Sequence, residues 1–480
     1  MDIMKDHSVS KALRIAGHIF FLVLVAIGVV FANERVIYSD SAAQLFEMIQ
    51  RGTFVIYDYR YAMAITQTLP LLCIKAGFGL KAVVIAYSVA APLLSYLAFL
   101  LIAYPLKNER LGLVLLLPLL CIRHTFFHAI SETFSLFIYA TLLAAFLSLS
   151  PTVRWKKSLN IAGIVVSCLL CVFIHPIGMF FVAFLLGYRF VNDRFKLSVA
   201  FVIGAITLTA AATVKMLAVS GHDAGFMPNP HEIPQILTHF FNQDVVHHFA
   251  NRLLDFYIYP IILYCIVLLW HITHRQWLRM AYGIVFNICF IVMTVVVYRL
   301  ESSPIGVERS FLPLMFFAGL PFLCEVLPAL GERKQKAFIL LLSALLLLAF
   351  GKIADTSRKY HQRLEKIEEI AEAALKTEQH KLVTDKESIQ GVFKIESWGT
   401  AFESIIITSL KDDRNTVTLF VEEGTIDKEC ADYQTSDCFI AVPWWRLWPL
   451  TTLNPNYFKL PEQPYKQLTF DDGKPIIKEL

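Results

Sequence analysis

The sequence is short of charge. Of its 480 residues only 17% are Asp, Glu, Lys or Arg, whereas 56% are apolar, and the mean hydropathy is +0.57. A chain of this composition cannot bury its apolar surface in a water-soluble globule. Its basic residues form no continuous patch, which argues against a nucleic-acid partner despite a net charge of +4. The composition predicts a multi-pass protein surrounded by a lipid bilayer.

Several signatures of chemistry are missing as well. The sequence has no Gly-rich loop with P-loop spacing, no HExxH and no Ser/His/Asp nucleophile motif. The loop 220–253 is rich in His and Asp, but its spacing supports no strong metal site, and we interpret it as an acceptor-binding loop that caps a cavity. We predict no cofactor, and a divalent metal ion stays an open alternative. The first apolar run lacks a small-residue cleavage site, which predicts a retained anchor.

Eleven apolar runs are long enough to cross roughly 30 Å of hydrocarbon. They lie at residues 12–32, 82–104, 111–127, 132–149, 158–174, 176–191, 197–219, 254–272, 280–298, 310–330 and 337–350. Short basic loops then fall on one side, the cytoplasmic one, if the segment 62–78 does not cross. We therefore predict that 62–78 is an in-plane or re-entrant helix, broken by Pro70 and Lys75 and ended by Gly77 and Gly79.

This topology places the N-terminus in the cytoplasm and a set of polar segments outside the cell membrane. The outer segments are residues 36–62, the turns at 124–132 and 175–176, the loops 220–253 and 298–309, and the tail from 352. Eight of the fourteen histidines lie there, at positions 124, 128, 175, 222, 231, 239, 247 and 248. Titratable groups clustered on one side indicate ligand binding or chemistry at that surface.

The first outer segment contains a predicted amphipathic helix at residues 41–51 that lies on the membrane. Ser41 and Gln44 fit a capping box, and Gly52 suits the end of the helix. The apolar face is formed by Ala42, Leu45, Phe46 and Ile49. Asp40 stands at the helix start, where it either complements the helix dipole or acts in a site.

Four stretches resemble the GT-C glycosyltransferases, multi-span enzymes that take a sugar from a polyprenyl phosphate, among them protein O-mannosyltransferases and lipid A aminoarabinose transferases. The stretches are YSDSAAQLFEMI in the first outer loop, HAISETFSL, FIHPIG and ERSFLPL, and the resemblance covers about residues 10–350. His175 stands where the family more often has Lys, and Ser310 where it has Tyr. The resemblance implies an all-α fold with in-plane helices in the first outer loop, and direct displacement with inversion at the anomeric carbon.

The resemblance also implies roles for the polar residues. A base must take the proton of the acceptor hydroxyl, and cations must hold the departing phosphate. Asp40 is the candidate base, and Glu132 either shares this role, orients the acceptor or is only a helix-start acid after Ser131. The candidate ligands of the donor phosphate are Arg309, His175, Arg60 and Arg299. The residues expected near the acceptor are Asp58, His128 and His124.

Alternatives to these roles stay open. Arg309 could instead pair with Glu301 or reach from a span end to the membrane surface, and His175 could be a neutral cap. A multi-span transporter, or a lipid-linked oligosaccharide flippase or ligase, would also have many spans. A transporter is expected to place charges near mid-membrane, whereas most charges here lie at span ends.

The tail, residues 352–480, is predicted to be a small extracytoplasmic α/β domain after a transmembrane domain at 1–351. A charged helix precedes strand-like runs at 404–410 and 416–421. Cys430 and Cys438 could form a disulfide outside the cytoplasm. The aromatic set Trp444, Trp445 and Trp448 either stacks on sugars, anchors at the bilayer or fills a core.

Overall fold

The structure is a computed structural model that describes residues 7–149, 153–218, 225–393, 397–411, 416–427, 429–442 and 445–480. His222 and Trp444 lie outside the described residues. The helices are α1 (His7–Val30), α2 (Ala32–Val36), α3 (Ser39–Arg51), α4 (Met63–Lys75), α5 (Leu80–Ala103), α6 (Glu109–Gly112), α7 (Glu132–Ser148), α8 (Arg154–Ile174), α9 (Gly178–Asn192), α10 (Val199–Leu217), α11 (Ile233–Thr238), α12 (Asp244–Asn251), α13 (Ile258–Thr273), α14 (Trp277–Val297), α15 (Pro304–Phe311), α16 (Pro313–Pro321), α17 (Leu327–Ala329), α18 (Glu332–Lys376), α19 (Lys386–Gln390), α20 (Thr400–Lys411) and α21 (Ala431–Gln434).

The chain is a polytopic helical membrane protein. Within the described residues, eight helical stretches are long and apolar enough to cross a bilayer, and all eight coincide with predicted spans. Two further predicted spans, at 132–149 and 176–191, form α7 and α9, which have only 17 and 15 residues. At 1.5 Å per residue these helices are about 25 and 22 Å long, shorter than the hydrocarbon layer.

The predicted span at 111–127 is not one helix. Residues Leu113–Leu120 form a 3-10 helix, and a second short 3-10 turn follows at His124–Phe127. Pro118 lies inside the first of these, where its ring removes a backbone donor and disfavours α-helical geometry in the residue before it. All eight residues of this segment are buried, so protein rather than lipid surrounds its irregular backbone.

The segment after α1 folds into α3 and α4, but α3 does not lie open on a membrane. Ten of its thirteen residues are buried. The predicted capping box at Ser41 is wrong, because the helix begins at Ser39. The Ser41 hydroxyl instead accepts a hydrogen bond from the Ala129 amide. Gly52 ends the helix in the left-handed region, at φ +58°, as predicted. α4 has 13 residues, too few to cross, and it continues through Pro70.

The tail combines the end of α18 and the helices α19, α20 and α21 with two small sheets. Strands β1 (Lys381–Asp385), β2 (Thr418–Glu422), β5 (Lys466–Asp471) and β6 (Lys474–Lys478) form a sheet in the order β2-β1-β5-β6, whose first three strands are parallel, and β3 (Cys438–Val442) pairs with β4 (Trp445–Pro449). The predicted strand at 404–410 is wrong, because these residues belong to α20, whose buried run Thr400–Ser409 packs against β2 and α3. Cys430 and Cys438 are both free thiols.

The tail packs directly on α3. Phe46 is fully buried among tail rings, with centroids 4.9 Å from Phe402, 5.4 Å from Phe458 and 5.8 Å from Trp448. The apolar face of α3 therefore covers the tail core and not a bilayer, and Trp448 fills that core. The helix α18 is continuous over 45 residues from the last span into the tail, so the predicted division at 351/352 falls inside it.

Candidate functional site

A cavity of about 720 Å³ lies where α3, the loop before α4, the start of α7 and α15 meet. Six of the nine predicted site residues line it: Asp40, Asp58, Arg60, Glu132, His175 and Arg309. They come from five separate stretches of the chain, and four of these carry the motifs that suggested the resemblance. The fold therefore brings most of the predicted site to one place.

Acids and bases alternate along one wall of the cavity. Glu132 is buried and accepts a hydrogen bond of 2.5 Å from Arg60, whose other terminal nitrogen lies 3.9 Å from an Asp58 oxygen. Arg309 lies 3.9 Å from the second Glu132 oxygen. Glu132 is thus held between two guanidinium groups, and this pairing keeps its carboxylate charged in a low-dielectric setting.

The charge series continues from Arg309 to Asp40 through His128. Arg309 Nη1 lies 3.4 Å from Nδ1 of His128, and Nε2 of the same ring lies 3.2 Å from Oδ2 of Asp40, a close contact that is not aligned as a hydrogen bond. A guanidinium can only donate hydrogen bonds, so Nδ1 of His128 is the acceptor of this contact. The ring proton is then on Nε2, the atom that faces Asp40. His128 is fully buried, so it positions Asp40 from behind.

Asp40 is the exposed end of this series. Its side chain is 44% exposed, whereas those of Glu132 and Arg60 are 8% and 12% exposed. Tyr38 packs edge-on against His128, and burial, followed by the charge of Asp40, raises the pKa of Tyr38 to about 12. Tyr38 therefore stays a neutral hydroxyl at physiological pH. A carboxylate open to the cavity and held from behind is suited to accept a proton.

The tail fixes the helix that carries Asp40. Glu403 of α20 accepts a hydrogen bond of 3.2 Å from the Ser39 amide at the first turn of α3, and its other oxygen accepts one of 2.7 Å from Arg363 of α18. Both side chains of this ion pair are buried. Gly399 lies so close to Ser39 that a Cβ atom there would stand 3.0 Å from the Ser39 carbonyl oxygen. The tail thus supplies the cap that α3 lacks in its own sequence.

The other three predicted site residues do not line this cavity. His128 stands behind its wall, and Arg299 and His124 lie elsewhere. Arg299 pairs with Glu232 at 3.2 Å, which ties α14 to the loop before α11. His124 lies in a second cavity with Tyr360, 3.3 Å from its hydroxyl. Burial, and then the charge of Lys359, lowers the pKa of His124 to about 4, so this ring is neutral at physiological pH.

Aromatic residues that the sequence did not single out complete the cavity. Its lining includes Tyr57, Phe226, Tyr298 and Trp398. Phe226 belongs to the loop predicted to cap the cavity, and its ring centre lies 5.6 Å from that of Tyr298. Trp398 comes from the tail and lines the second cavity as well. Tyr57 lies in the loop between two helices that the sequence predicts in the membrane plane, and this position was its signal. Trp398 is 358 residues from Asp40 and gave none.

Glu308 is a further residue that the sequence did not single out. It is 1% exposed and accepts hydrogen bonds from the backbone amides of Arg123, His124 and Thr125 and from the Thr125 hydroxyl, at 2.9–3.2 Å. One carboxylate thus satisfies the amides at the start of the 124–127 turn. Because Glu308 precedes Arg309 and the turn precedes His128, this contact sets the spacing of the two site residues.

Replacing Glu308 by alanine should destabilise the protein by about 1.5–3 kcal/mol, because three backbone amides, of which that of Thr125 is buried, lose their carboxylate partner. The measurement is thermal unfolding of the purified protein in detergent, followed by tryptophan fluorescence. Glu232→Ala is the matched control, since the Glu232 side chain is 43% exposed and its ion pair is at the surface. Equal unfolding temperatures for the two variants would contradict the anchoring role of Glu308.

Comparisons with protein-family models, with curated proteins and with solved structures find no match for this chain. Within the described parts of the chain, no three His, Cys, Asp or Glu side chains cluster as metal ligands would.

Proposed function

We propose that this protein is a membrane glycosyltransferase that moves a sugar from a polyprenyl phosphate to a hydroxyl acceptor. The observation that carries the proposal is a single cavity containing a partly exposed carboxylate, Asp40, beside two arginines, Arg60 and Arg309, at the end of a polytopic bundle. A lipid-phosphate sugar donor needs both a base and a cationic phosphate site next to a membrane. The resemblance to the GT-C glycosyltransferases adds support from the same residues.

The reaction is a single displacement. The acceptor oxygen attacks the anomeric carbon while its proton passes to Asp40, and the bond between that carbon and the phosphate oxygen breaks with its electron pair leaving on the phosphate. Arg309 and Arg60 stabilise the charge of the departing phosphate, since a guanidinium stays charged and offers paired donors. His175 lines the same cavity and serves as a further donor to the phosphate.

Glu132 holds the two arginines side by side in the cavity wall. Without a carboxylate between them, Arg60 and Arg309 would repel each other and turn toward solvent. When the donor phosphate enters, it shares these cations with Glu132. The walls formed by Tyr57, Tyr298 and Trp398 offer ring faces on which a sugar can stack.

The proposed function also requires a defined orientation of the protein in the membrane. The alternating basic loops support a cytoplasmic N-terminus, eleven crossings in a cell membrane, and a cavity and tail on the extracytoplasmic side. The contacts between α3 and the tail support their placement on one side. The donor is then drawn from the outer leaflet.

The direct test uses the purified full-length protein in liposomes with radiolabelled polyprenyl phosphate sugars and an extract of envelope glycans and lipids. We expect label to pass to a hydroxyl-bearing acceptor, and mass spectrometry of a strain that lacks the protein should show the missing decoration. Movement of donor across the bilayer without transfer would contradict the proposal and favour a flippase or transporter.

Replacing Arg309 by alanine should weaken binding of polyprenyl phosphate roughly 10- to 100-fold, because charge-assisted hydrogen bonds contribute about 1.5–3 kcal/mol each. The measurement is a titration of polyprenyl phosphate into protein in nanodiscs. Arg358→Ala is the control, since the Arg358 side chain is 79% exposed and lies outside the cavity. Unchanged binding by Arg309→Ala would remove Arg309 from the phosphate site.

A further inference from the structure

Tyr57 differs from the other aromatic residues that line the cavity with Asp40, because the faces of its ring are uncovered. It is 39% exposed, and in the part of the chain that the structure describes no aromatic ring and no cation packs on it. The ring of Tyr298 is instead contacted by Phe226 at 5.6 Å, and Trp398 meets Phe402 edge-on at 6.5 Å. Tyr57 is therefore the ring of this wall that is most open to a ligand.

The hydroxyl end of Tyr57 is fixed by α3. It donates a hydrogen bond to Oε1 of Glu47, whose side chain is only 7% exposed, and Oε2 of the same carboxylate lies 2.6 Å from Nη2 of Arg51. Burial of this end of the side chain, followed by the charge of Glu47, raises the pKa of Tyr57, so the phenol keeps the proton that it donates. The hydroxyl is thus already used, and the ring face is what Tyr57 offers to a ligand.

The backbone on both sides of Tyr57 is fixed as well. The side chain of Gln67 in α4 accepts a hydrogen bond of 2.8 Å from the Val55 amide and donates one of 2.7 Å to the Val55 carbonyl. The Tyr57 carbonyl accepts a hydrogen bond of 2.9 Å from the Arg60 amide, which closes a turn. A ring that is held at its hydroxyl and at its backbone loses little conformational freedom when a ligand binds to it.

The turn that carries Tyr57 also carries a cation of the proposed donor site. Tyr57 and Arg60 both line the cavity, and Arg60 is a proposed ligand of the donor phosphate. A polyprenyl phosphate sugar has its sugar attached directly to the phosphate, so a ring beside this cation lies where the sugar has to be. Asp40 and Glu47 are two turns apart on one face of α3, so this helix carries both the base and the support of the ring.

We propose that Tyr57 recognises the sugar of the donor by stacking on a face of the sugar ring that is rich in C–H bonds, and that Glu47 is the positioning residue that holds Tyr57 in place. This inference rests on the proposed function, because it takes the donor to be a polyprenyl phosphate sugar. An aromatic face binds apolar surface and offers nothing to a bare phosphate. Since the Tyr57 hydroxyl donates to Glu47, recognition depends on the face of the sugar and not on one of its hydroxyls.

The test compares the affinity of sugar donors with that of bare polyprenyl phosphate. Polyprenyl phosphate glucose, mannose, galactose and arabinose are each titrated into the full-length protein in nanodiscs. We expect the tightest-binding sugar donor to exceed bare polyprenyl phosphate about tenfold in affinity, and Tyr57→Ala to abolish this gain while the affinity for bare polyprenyl phosphate stays within about twofold. Tyr61→Ala is the matched control, since Tyr61 is 56% exposed and lies outside the cavity.

A double-mutant cycle tests the role of Glu47. Tyr57→Phe and Glu47→Ala remove the same hydrogen bond and keep the ring, so each should lower the gain about threefold, and the double variant should lower it no further. Glu47→Gln should restore the gain to within about twofold, because the amide oxygen still accepts a hydrogen bond from the Tyr57 hydroxyl. These variants keep the comparison possible if Tyr57→Ala does not fold.

Each contrary outcome overturns the inference. A wild-type protein that binds no sugar donor more tightly than bare polyprenyl phosphate, or an unchanged gain in Tyr57→Ala, would remove Tyr57 as the ligand of the sugar. Equal losses of affinity for sugar donor and bare polyprenyl phosphate in Tyr57→Ala would make Tyr57 a support of Arg60. Additive losses in the double variant would show that Glu47 does not act through Tyr57.

The same samples separate this inference from the proposed function. A wild-type protein that binds a sugar donor with the expected gain yet transfers no sugar would contradict the proposed function alone. Sugar transfer by the wild-type protein, together with an unchanged gain in Tyr57→Ala, would contradict the role of Tyr57 alone.

Discussion

Replacing Asp40 by asparagine should lower sugar transfer by about two to four orders of magnitude, the usual contribution of a general base. Asparagine keeps the shape of the side chain but cannot take the proton of the acceptor hydroxyl. Binding of polyprenyl phosphate should persist, because Arg60 and Arg309 stay in place. The measurement is the initial rate of transfer from radiolabelled donor, together with donor affinity on the same preparation.

Asp355→Asn is the control for this substitution. The Asp355 side chain is 72% exposed on α18 and lies far along the chain from the site, so the same chemical change there should leave the rate unaltered. Full turnover by Asp40→Asn would exclude Asp40 as the base and direct attention to Glu132. A loss of donor binding equal to the loss of rate would instead make Asp40 a residue that organises the cavity.

Replacing Glu403 by alanine should destabilise the protein by about 3–5 kcal/mol, because it leaves the buried charge of Arg363 unpaired. It also removes the acceptor of the Ser39 amide, so the first turn of α3 should loosen and the transfer rate should fall with stability. Thermal unfolding in detergent measures the first effect, and hydrogen exchange of the α3 amides measures the second.

Two further variants show whether the charge pair itself is responsible. Arg363→Met/Glu403→Leu should recover part of the lost stability, since an apolar pair of similar volume needs no compensation. Glu479→Ala should change little, because Glu479 is 84% exposed in its pair with Lys466. An unfolding temperature for Glu403→Ala that matches that of Glu479→Ala would show that the buried pair does not hold the tail to α3.

The fold was most predictable where hydropathy alone decides it. Long apolar runs marked eight helices correctly, because a bilayer imposes length and composition together. The prediction failed at 111–127, where Pro118 lies in a run that is apolar enough to look like a span. It failed again at 404–410, where a run rich in isoleucine forms a buried helix, because tertiary packing overrides β propensity.

The site was predictable where acids and bases stand at span ends. Asp40, Arg60, Glu132 and Arg309 drew attention because charge beside lipid is costly, and the fold brings all four to one cavity. The contribution of the tail was out of reach, since the contact of Glu403 with Ser39 spans 364 residues. No local pattern encodes a cap supplied from so far along the chain.

The helix α18 has a mechanical consequence. It runs about 68 Å without a proline, so it joins the tail to the bundle as a stiff rod rather than a flexible tether. A swinging motion of the tail would have to bend this rod or break the Glu403 ion pair. The tail is therefore coupled to the bundle both by this rod and by the buried ion pair.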